Sequence, residues 1–343
     1  MSGIVSLSVP APRRSRLRVP PVVTQRCWED AELDALADRL ERREDPAERA
    51  GAALAAMARA RRDPERRELV CAAAAIRLQD AVPAVRARAL LTGSDPAADA
   101  DARALHARIL VEIAWSSRRA ARGEAARRAV YETYRGILQE ADALAASALK
   151  REPAHPAAAV ARIVTARGLR LDLPEQWNRF AVARRSRSTL FGAHLQMLQN
   201  VSGGWSGDHE TMLDLARSVA RSAPPGDPVG AVLPLAWATL DLAGEDGRGF
   251  GADRDGDVEV AAASAQRWLG AGEAALAHPY AVVADNLYGW FLGARSGGHA
   301  HLARTGGRMG QWPWQDQLFA KRTYRRALRA ALADTDAAGR GVG

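Results

Sequence analysis

The sequence predicts an all-α protein in which antiparallel helix pairs stack into a solenoid, and three observations support this prediction. The chain has 343 residues and is 48% hydrophobic, but only 6% of its residues are aromatic. This balance favours long helices over sheets. Asp-Pro pairs recur at 63–64, 95–96 and 227–228, where the aspartate can cap a helix and the proline can occupy its first turn. The third observation is a stripe of apolar residues at helical spacing.

The first 123 residues divide into an arm and a helical region. Residues 1–25 are rich in proline, serine and arginine and lack helical periodicity, so we predict a flexible basic arm. Residues 26–123 are predicted to be an N-terminal helical region in which prolines separate the helices. Its short helices are predicted over 28–43, 47–61 and 64–80.

The clearest apolar stripe lies between Ala129 and Lys150 and predicts a long amphipathic helix. A proline turn at 151–156 follows, and a second run with helical periodicity begins near Val160. Two helices joined by a short turn form an antiparallel hairpin, which is the unit that α-solenoids repeat. The stripe consists of Val130, Tyr134, Ile137, Ala141, Leu144 and Ala148.

Residues 124–333 are predicted to form a helical repeat region. Proline turns recur in it at irregular spacing, so the repeat is degenerate. The polar, glycine-rich segment 246–257 is predicted to be a surface loop, and residues 334–343 are predicted to be a disordered tail. The later helices are predicted over about 258–277, 280–295 and 316–333.

Two segments resemble tetratricopeptide-repeat proteins. Residues 145–149 (Ala-Ala-Ser-Ala-Leu), followed by Pro153 and three alanines at 157–159, are similar to the junction between two such repeats. Residues 286–290 (Asn-Leu-Tyr-Gly-Trp) resemble the first helix of a repeat, in which a large aromatic residue packs beside a small one. The resemblance implies a tetratricopeptide-like α-solenoid with a right-handed stack.

A second resemblance is to a group of actinobacterial helical-repeat proteins. In that group a Trp-Gly-Gly-Ser turn precedes an acidic residue, a methionine and an Ala-Arg pair. Residues 203–212, 215–217 and 224–226 carry the resemblance, although both glycines precede Trp205 in this chain. The Pro-Trp turn at 310–314 is also similar to one near the end of that group. The resemblance implies a fold and no established activity.

The large positive net charge of the chain says less about its partner than such a charge usually does. A net charge of +8 and a pI near 10.2 usually point to nucleic acid or an acidic surface as a partner. Nearly all the cations are arginines, since Lys150 and Lys321 are the only lysines. A chain rich in alanine, arginine and glycine but poor in lysine is typical of GC-rich coding, so local clustering of charge is the better guide.

The sequence predicts a cytoplasmic protein. No window of about 18 uninterrupted apolar residues occurs, and the N-terminus lacks the apolar core and cleavage pattern of a secretory signal. Cys27 and Cys71 are too few for a disulfide framework and are not spaced as a zinc pair, so both are predicted to be buried apolar residues.

Short catalytic signatures are absent from the sequence, which contains no P-loop, no GxSxG motif and no dinucleotide fingerprint. We therefore predict no catalytic residue, no cofactor and no metal. His299 and His301 stand close together but lack an obvious third ligand. The acidic segment 253–259 has Val258 where a calcium loop needs glycine and Ser264 where it needs glutamate. It is predicted to be a solvated loop, with cation binding left open.

Two groups of residues, together with Trp205, are candidates for partner binding. Trp312 and Trp314 flank Pro313 in a turn, where they could close a groove over a peptide or plug the end of the array. Four arginines of the last helix stand at spacings of three and four, so they share one face that could meet an acidic partner or phosphates. The predicted partner-binding residues are Trp205, Trp312, Trp314, Arg322, Arg325, Arg326 and Arg329.

These features predict a non-catalytic helical-repeat scaffold that binds a peptide or protein partner, as stacked repeats commonly do. One alternative is a helical enzyme or enzyme accessory of a bacterial specialised pathway, whose dispersed active-site residues would escape a motif search. The other is nucleic-acid binding through the arginine face, which high salt should weaken steeply.

Overall fold

The computed structural model describes residues 19–24, 31–42, 44–91, 95–120, 124–244, 253–294, 296–310, 312–314 and 319–340. These residues are helical apart from turns and one parallel pair of two-residue strands, β1 (Val23–Thr24) and β2 (Arg308–Met309). The prediction of an all-α fold is therefore confirmed. None of the helices in these ranges combines the length and apolar character that a bilayer span requires.

Many of the helices are separated by only a few residues. The first eight are α1 (Ala31–Arg42), α2 (Pro46–Arg59), α3 (Pro64–Arg77), α4 (Val82–Leu91), α5 (Pro96–Ala120), α6 (Glu124–Arg151), α7 (Pro156–Leu169) and α8 (Leu173–Ala183). The later ones are α9 (Phe191–Asn200), α10 (His209–Ser222), a 3-10 helix (Pro228–Ala231), α11 (Val232–Ala243), α12 (Arg254–Gly270), α13 (Glu273–Leu276), α14 (Ala281–Leu292), α15 (Gly298–Arg304) and α16 (Ala320–Arg340).

Asp-Pro pairs begin helical segments at the predicted positions. Pro64 begins α3, and the Asp63 carboxylate accepts a hydrogen bond from the backbone N–H of Arg66 at 3.1 Å. The Asp95 carboxylate accepts from two backbone N–H groups in the first turn of α5. Asp227 instead caps the short 3-10 helix. These carboxylates satisfy N–H groups that a helix leaves unpaired in its first turn.

The predicted amphipathic helix is α6, which begins at Glu124 instead of at 129. Tyr134 and Ala148 of its apolar stripe are almost fully buried. α7 packs so closely on this helix that a Cβ on Gly168 would collide with the side chains of Leu138 and Tyr134. A glycine at this position therefore lets the two helices approach.

α3 packs against five other helices, which are α1, α2, α5, α7 and α9. Phe191 of α9 stacks on Tyr280 with ring centroids 4.5 Å apart. The Tyr280 hydroxyl in turn donates to Glu68 of α3 at 3.3 Å, although 212 positions separate the two residues. Repeats in an ideal solenoid contact only their neighbours, so the helices here form a more closed arrangement than a simple stack.

The end of the predicted N-terminal arm belongs to the fold. β1 pairs with β2 in parallel, and Val19 and Val22 pack against an apolar cluster that includes Tyr324 of α16. The arm was predicted to be flexible over 1–25, but its valines bury apolar surface against the C-terminal helix. Residues 1–18 lie outside the described residues.

The C-terminal helix is longer than predicted. α16 extends to Arg340 and so occupies most of segment 334–343, which was predicted to be disordered. Its alanines continue a helix at little conformational cost. Leu328 and Ala331 are fully buried and hold the helix against the rest of the protein.

Candidate functional site

The predicted partner-binding residues lie in three separate places. Trp205 follows α9 and lines a cleft together with residues of α5 and α7. Trp312 and Trp314 lie in a turn before α16. The four predicted arginines share a groove on α16.

This groove is open and has a volume of about 940 Å³. Pro21 and Val22 form an apolar wall, and exposed basic residues of α16 form the other. Within the described ranges, no carboxylate forms an ion pair with the basic wall. We call this site the arginine groove, and its basic residues are Lys321, Arg322, Arg325, Arg326 and Arg329.

Trp314 is a core residue. Its side chain is 3% exposed, and its indole N–H donates to the Asn286 side-chain oxygen at 2.7 Å. Its ring packs edge-on against Tyr324 with centroids 5.3 Å apart. Trp312 is partly buried against the main hydrophobic core. Of the two proposed roles for this turn, the geometry fits the packing role better than the closure of a groove.

Trp205 contributes to a cleft of about 280 Å³ between helices. α5 supplies residues 108, 112, 115 and 119, whose spacings of four, three and four place them on one face of the helix. α7 and α9 supply the opposite side. We call this site the tryptophan cleft, and it is lined by Arg108, Val111, Glu112, Trp115, Arg119, Val164, Arg167, Gln196, Gln199 and Trp205.

A tight turn after α9 holds Trp205 in place. The backbone N–H of Trp205 donates to the Ser202 carbonyl at 3.0 Å. The hydroxyl of Ser206 accepts a hydrogen bond from the Gln176 amide at 2.9 Å. A Cβ on Gly207 would collide with the backbone of residue 201, so the turn requires a glycine there. The geometry of the turn thus explains Gly207, whereas a Cβ on Gly204 would meet no other atom within 4 Å.

Arginines stack on both indoles of the cleft. Trp115 and Trp205 meet edge to face, with ring centroids 5.5 Å apart and an interplanar angle of 86°. The Arg167 guanidinium carbon lies 5.5 Å from each ring centroid. Arg118 lies 5.3 Å from the Trp115 ring and 5.2 Å from the Trp205 ring. These are cation–π distances, so the arginines and indoles stabilise each other's positions.

Among the described residues, the groups that accept hydrogen bonds from Arg167 are all neutral. One of its terminal nitrogens donates to the Asn200 side chain at 2.8 Å, and the other donates to the Gln196 side chain at 3.0 Å. Its side chain is 6% exposed, and burial lowers its pKa to about 10. The cleft therefore contains a buried cation without an adjacent carboxylate partner among the described residues.

The acidic segment 253–259 is less solvated than predicted. Its first residue, Asp253, caps α12, which begins inside the predicted loop 246–257. Asp257 is buried and accepts two hydrogen bonds from Arg217 at 2.7 and 3.0 Å, and one from the Trp237 indole at 3.0 Å. Residues 246–252 lie outside the described residues.

The neighbouring histidines point to different partners. His301 is buried, and its Nδ1 lies 2.8 Å from the Asp285 carboxylate, whereas His299 contacts Asp334. In the part of the chain that the structure describes, no three His, Cys, Asp or Glu side chains are grouped to hold a metal ion.

A buried ionic network joins α3, α5 and the turn before α7. Arg67 donates to the Asp101 carboxylate at 2.9 Å and, through two nitrogens, to Glu152 at 2.5 and 2.8 Å. His155 accepts the Ala158 backbone N–H on Nδ1, so its Nε2–H donates to Asp101 at 3.2 Å. Burial lowers the pKa of His155. Each side chain is satisfied by another protein group, so we interpret this network as structural.

No family model matches this chain, and the comparisons with curated proteins and with solved structures found no match either. The tetratricopeptide-like and actinobacterial resemblances therefore stay predictions, and the sites are interpreted from their geometry.

Sequence reasoning missed most of the tryptophan cleft. The spacing of Arg108, Glu112, Trp115 and Arg119 is a helical-face signal that could have been read from the sequence. The approach of Arg167 to this face has no such signal, because it depends on how α7 packs against α5.

Proposed function

We propose that the protein is a non-catalytic helical scaffold that binds an acidic segment of a peptide or protein partner in the arginine groove. The observation that carries this proposal is the wall of five exposed cations, which form no ion pair with any described carboxylate. Such a surface attracts and orients a partner of opposite charge. A cytoplasmic location belongs to the same proposal.

The proposed architecture is a tetratricopeptide-like, right-handed stack of antiparallel helix pairs that is more closed than an ideal solenoid. Consecutive helices from α5 to α9 each pack against the next, as repeated hairpins do. The contact of Tyr280 with Glu68 draws the later helices towards α3. The groove lies at the C-terminal end of this stack, on α16.

The apolar wall favours a polypeptide as the occupant. Pro21 and Val22 offer contact to aliphatic side chains, which an acidic peptide can carry between its carboxylates. Nucleic acid is the second candidate, because the same five cations could neutralise phosphates. It would use the basic wall but gain little from the apolar residues opposite.

The test measures fluorescence anisotropy of labelled peptides mixed with the purified full chain. One peptide contains glutamates alone, and the other contains glutamates with interspersed leucines. We expect the mixed peptide to bind more tightly, and we expect replacement of Arg325, Arg326 and Arg329 by glutamine to weaken it about tenfold. Single-stranded RNA and duplex DNA are measured under the same conditions.

A matched control separates the groove from general positive charge. Replacing Arg62, Arg185 and Arg221 by glutamine removes the same charge from positions outside the groove, and this variant should bind like the wild type. Equal weakening by both variants, or no weakening by the groove variant, would contradict the proposal. If nucleic acid binds more tightly than the mixed peptide, nucleic acid and not a polypeptide is the partner of the groove.

A further inference from the structure

We infer that the tryptophan cleft binds a small organic anion, with Arg119 and Arg167 facing its carboxylate or phosphate and the two indoles enclosing its apolar body. This site is separate from the arginine groove, and the inference does not depend on the proposed scaffold function.

The charges lining the cleft do not balance. Three arginines line it against a single carboxylate, Glu112. Glu112 forms an ion pair with Arg108, with a guanidinium nitrogen 3.2 Å from a carboxylate oxygen. Arg119 donates to the Ser116 hydroxyl at 3.1 Å, and Arg167 donates to neutral groups. Two cations of the cleft thus lack a carboxylate among the described residues, and this creates a positive potential in a concave site.

Several buried donors around the cleft have no acceptor in the described part of the chain. They are the Nε of Arg167, the indole N–H of Trp115, and the Nε and one terminal nitrogen of Arg108. Buried N–H groups are nearly always paired in native proteins. Uncompensated donor dipoles add to the positive potential, and an anion with several lone pairs is the ligand that best balances it.

The burial of Arg167 also favours an anion as the ligand of the cleft. Desolvation lowers its pKa to about 10, against an opposing contribution from Tyr134, and repulsion from Arg108 acts in the same sense as the desolvation. The guanidinium charge is therefore less stable in the folded protein than in water. A nearby negative charge would favour the charged form again, so binding of an anion and protonation of Arg167 support each other.

The walls determine the class of anion. Trp115, Trp205 and two valines supply apolar surface, while Gln196 and Gln199 supply neutral hydrogen-bonding groups. The volume of about 280 Å³ lies just below the range of about 300–1,000 Å³ that is typical of small-molecule sites. A compact ligand with one anionic group and one flat or aliphatic body matches this lining better than a free inorganic ion.

Calorimetric titration of the full chain tests the inference with three probes of similar shape. Benzoate carries a carboxylate, phenyl phosphate carries a phosphate, and benzamide is neutral. We expect at least one anion to bind about tenfold more tightly than benzamide, since a charged hydrogen bond is stronger than a neutral one. The two anions distinguish a carboxylate ligand from a phosphate ligand.

Arg119 provides the variant, because it is exposed and its replacement should not disturb folding. Arg119→Gln should weaken anion binding about tenfold, Arg119→Lys should retain part of it, and Arg322→Gln on α16 should leave it unchanged. The inference is overturned if neither anion binds, if benzamide binds as well as the anions, or if Arg119→Gln and Arg322→Gln behave alike.

The outcomes for the two sites are distinguishable. Arg119→Gln should leave binding of the acidic peptide to the arginine groove unchanged, and neutralising Arg325, Arg326 and Arg329 should leave anion binding in the cleft unchanged.

Discussion

Arginines play different physical roles in the core and on the last helix. Arg67 is 2% exposed and donates hydrogen bonds to two carboxylates, whereas the arginines of α16 that line the groove are exposed and contact no described carboxylate. Breaking a buried ion pair leaves an uncompensated charge and is costly, while an exposed charge contributes little to stability. An arginine-rich composition therefore does not indicate a function until the partners of each arginine are known.

The largest effect is expected at Arg67. Arg67→Met should lower the free energy of unfolding by about 4 kcal/mol, because Asp101 and Glu152 lose their main cationic partner and Asp101 stays buried. Chemical denaturation monitored by circular dichroism measures the change. Arg325→Met is the control, and its effect should be below about 0.5 kcal/mol. Similar losses in the two variants would remove the distinction between the two regions.

The second prediction concerns a buried acid in the core. Burial raises the pKa of Glu65 from 4.5 to about 8. Between these two values the folded protein holds a proton that the unfolded chain releases, so the contribution of Glu65 to stability is complete below pH 4.5 and is lost as the pH rises towards 8. Glu65→Gln should flatten this dependence and, above pH 8, unfold with a higher free energy than the wild type, because the neutral amide is not ionised in either state.

Denaturation midpoints measured across this pH range test the prediction. The substituted amide would still offer an oxygen to the Phe191 backbone N–H, which donates to Glu65 at 2.8 Å in the native protein. Glu132→Gln, at an exposed position of α6, serves as the control and should keep the pH dependence of the wild type. An unaltered slope in Glu65→Gln would show that Glu65 is ionised in the folded protein.

The smallest effect is expected in the acidic segment 253–259, where a buried and an exposed aspartate lie close together. Asp257→Asn should destabilise the protein by about 2 kcal/mol, because the buried carboxylate accepts from Arg217 and Trp237. Asp255 lies two residues away and is exposed, so Asp255→Asn should change stability by less than about 0.5 kcal/mol. Thermal unfolding of both variants gives the comparison, and equal shifts would contradict the structural role of Asp257.

The candidate sites differ in how much of them could be predicted. The arginine face of α16 followed from spacing alone, since residues three and four apart share a helix face. Its apolar wall was missed, because Pro21 and Val22 reach α16 only through the pairing of β1 with β2. Trp314 was a candidate for partner binding but is buried, and its hydrogen bond to Asn286 joins residues 28 positions apart.

The sequence by itself determined the helical class, many helix starts and the amphipathic character of α6 and α16. These features depend on interactions within one or two turns, such as the cap at Asp63 and the stripe through Tyr134. Only the tertiary structure decided which arginines are buried, how Arg167 meets Trp115, and how Tyr280 reaches Glu68. Such contacts arise when distant helices pack to bury their apolar faces, and no local pattern specifies the partner.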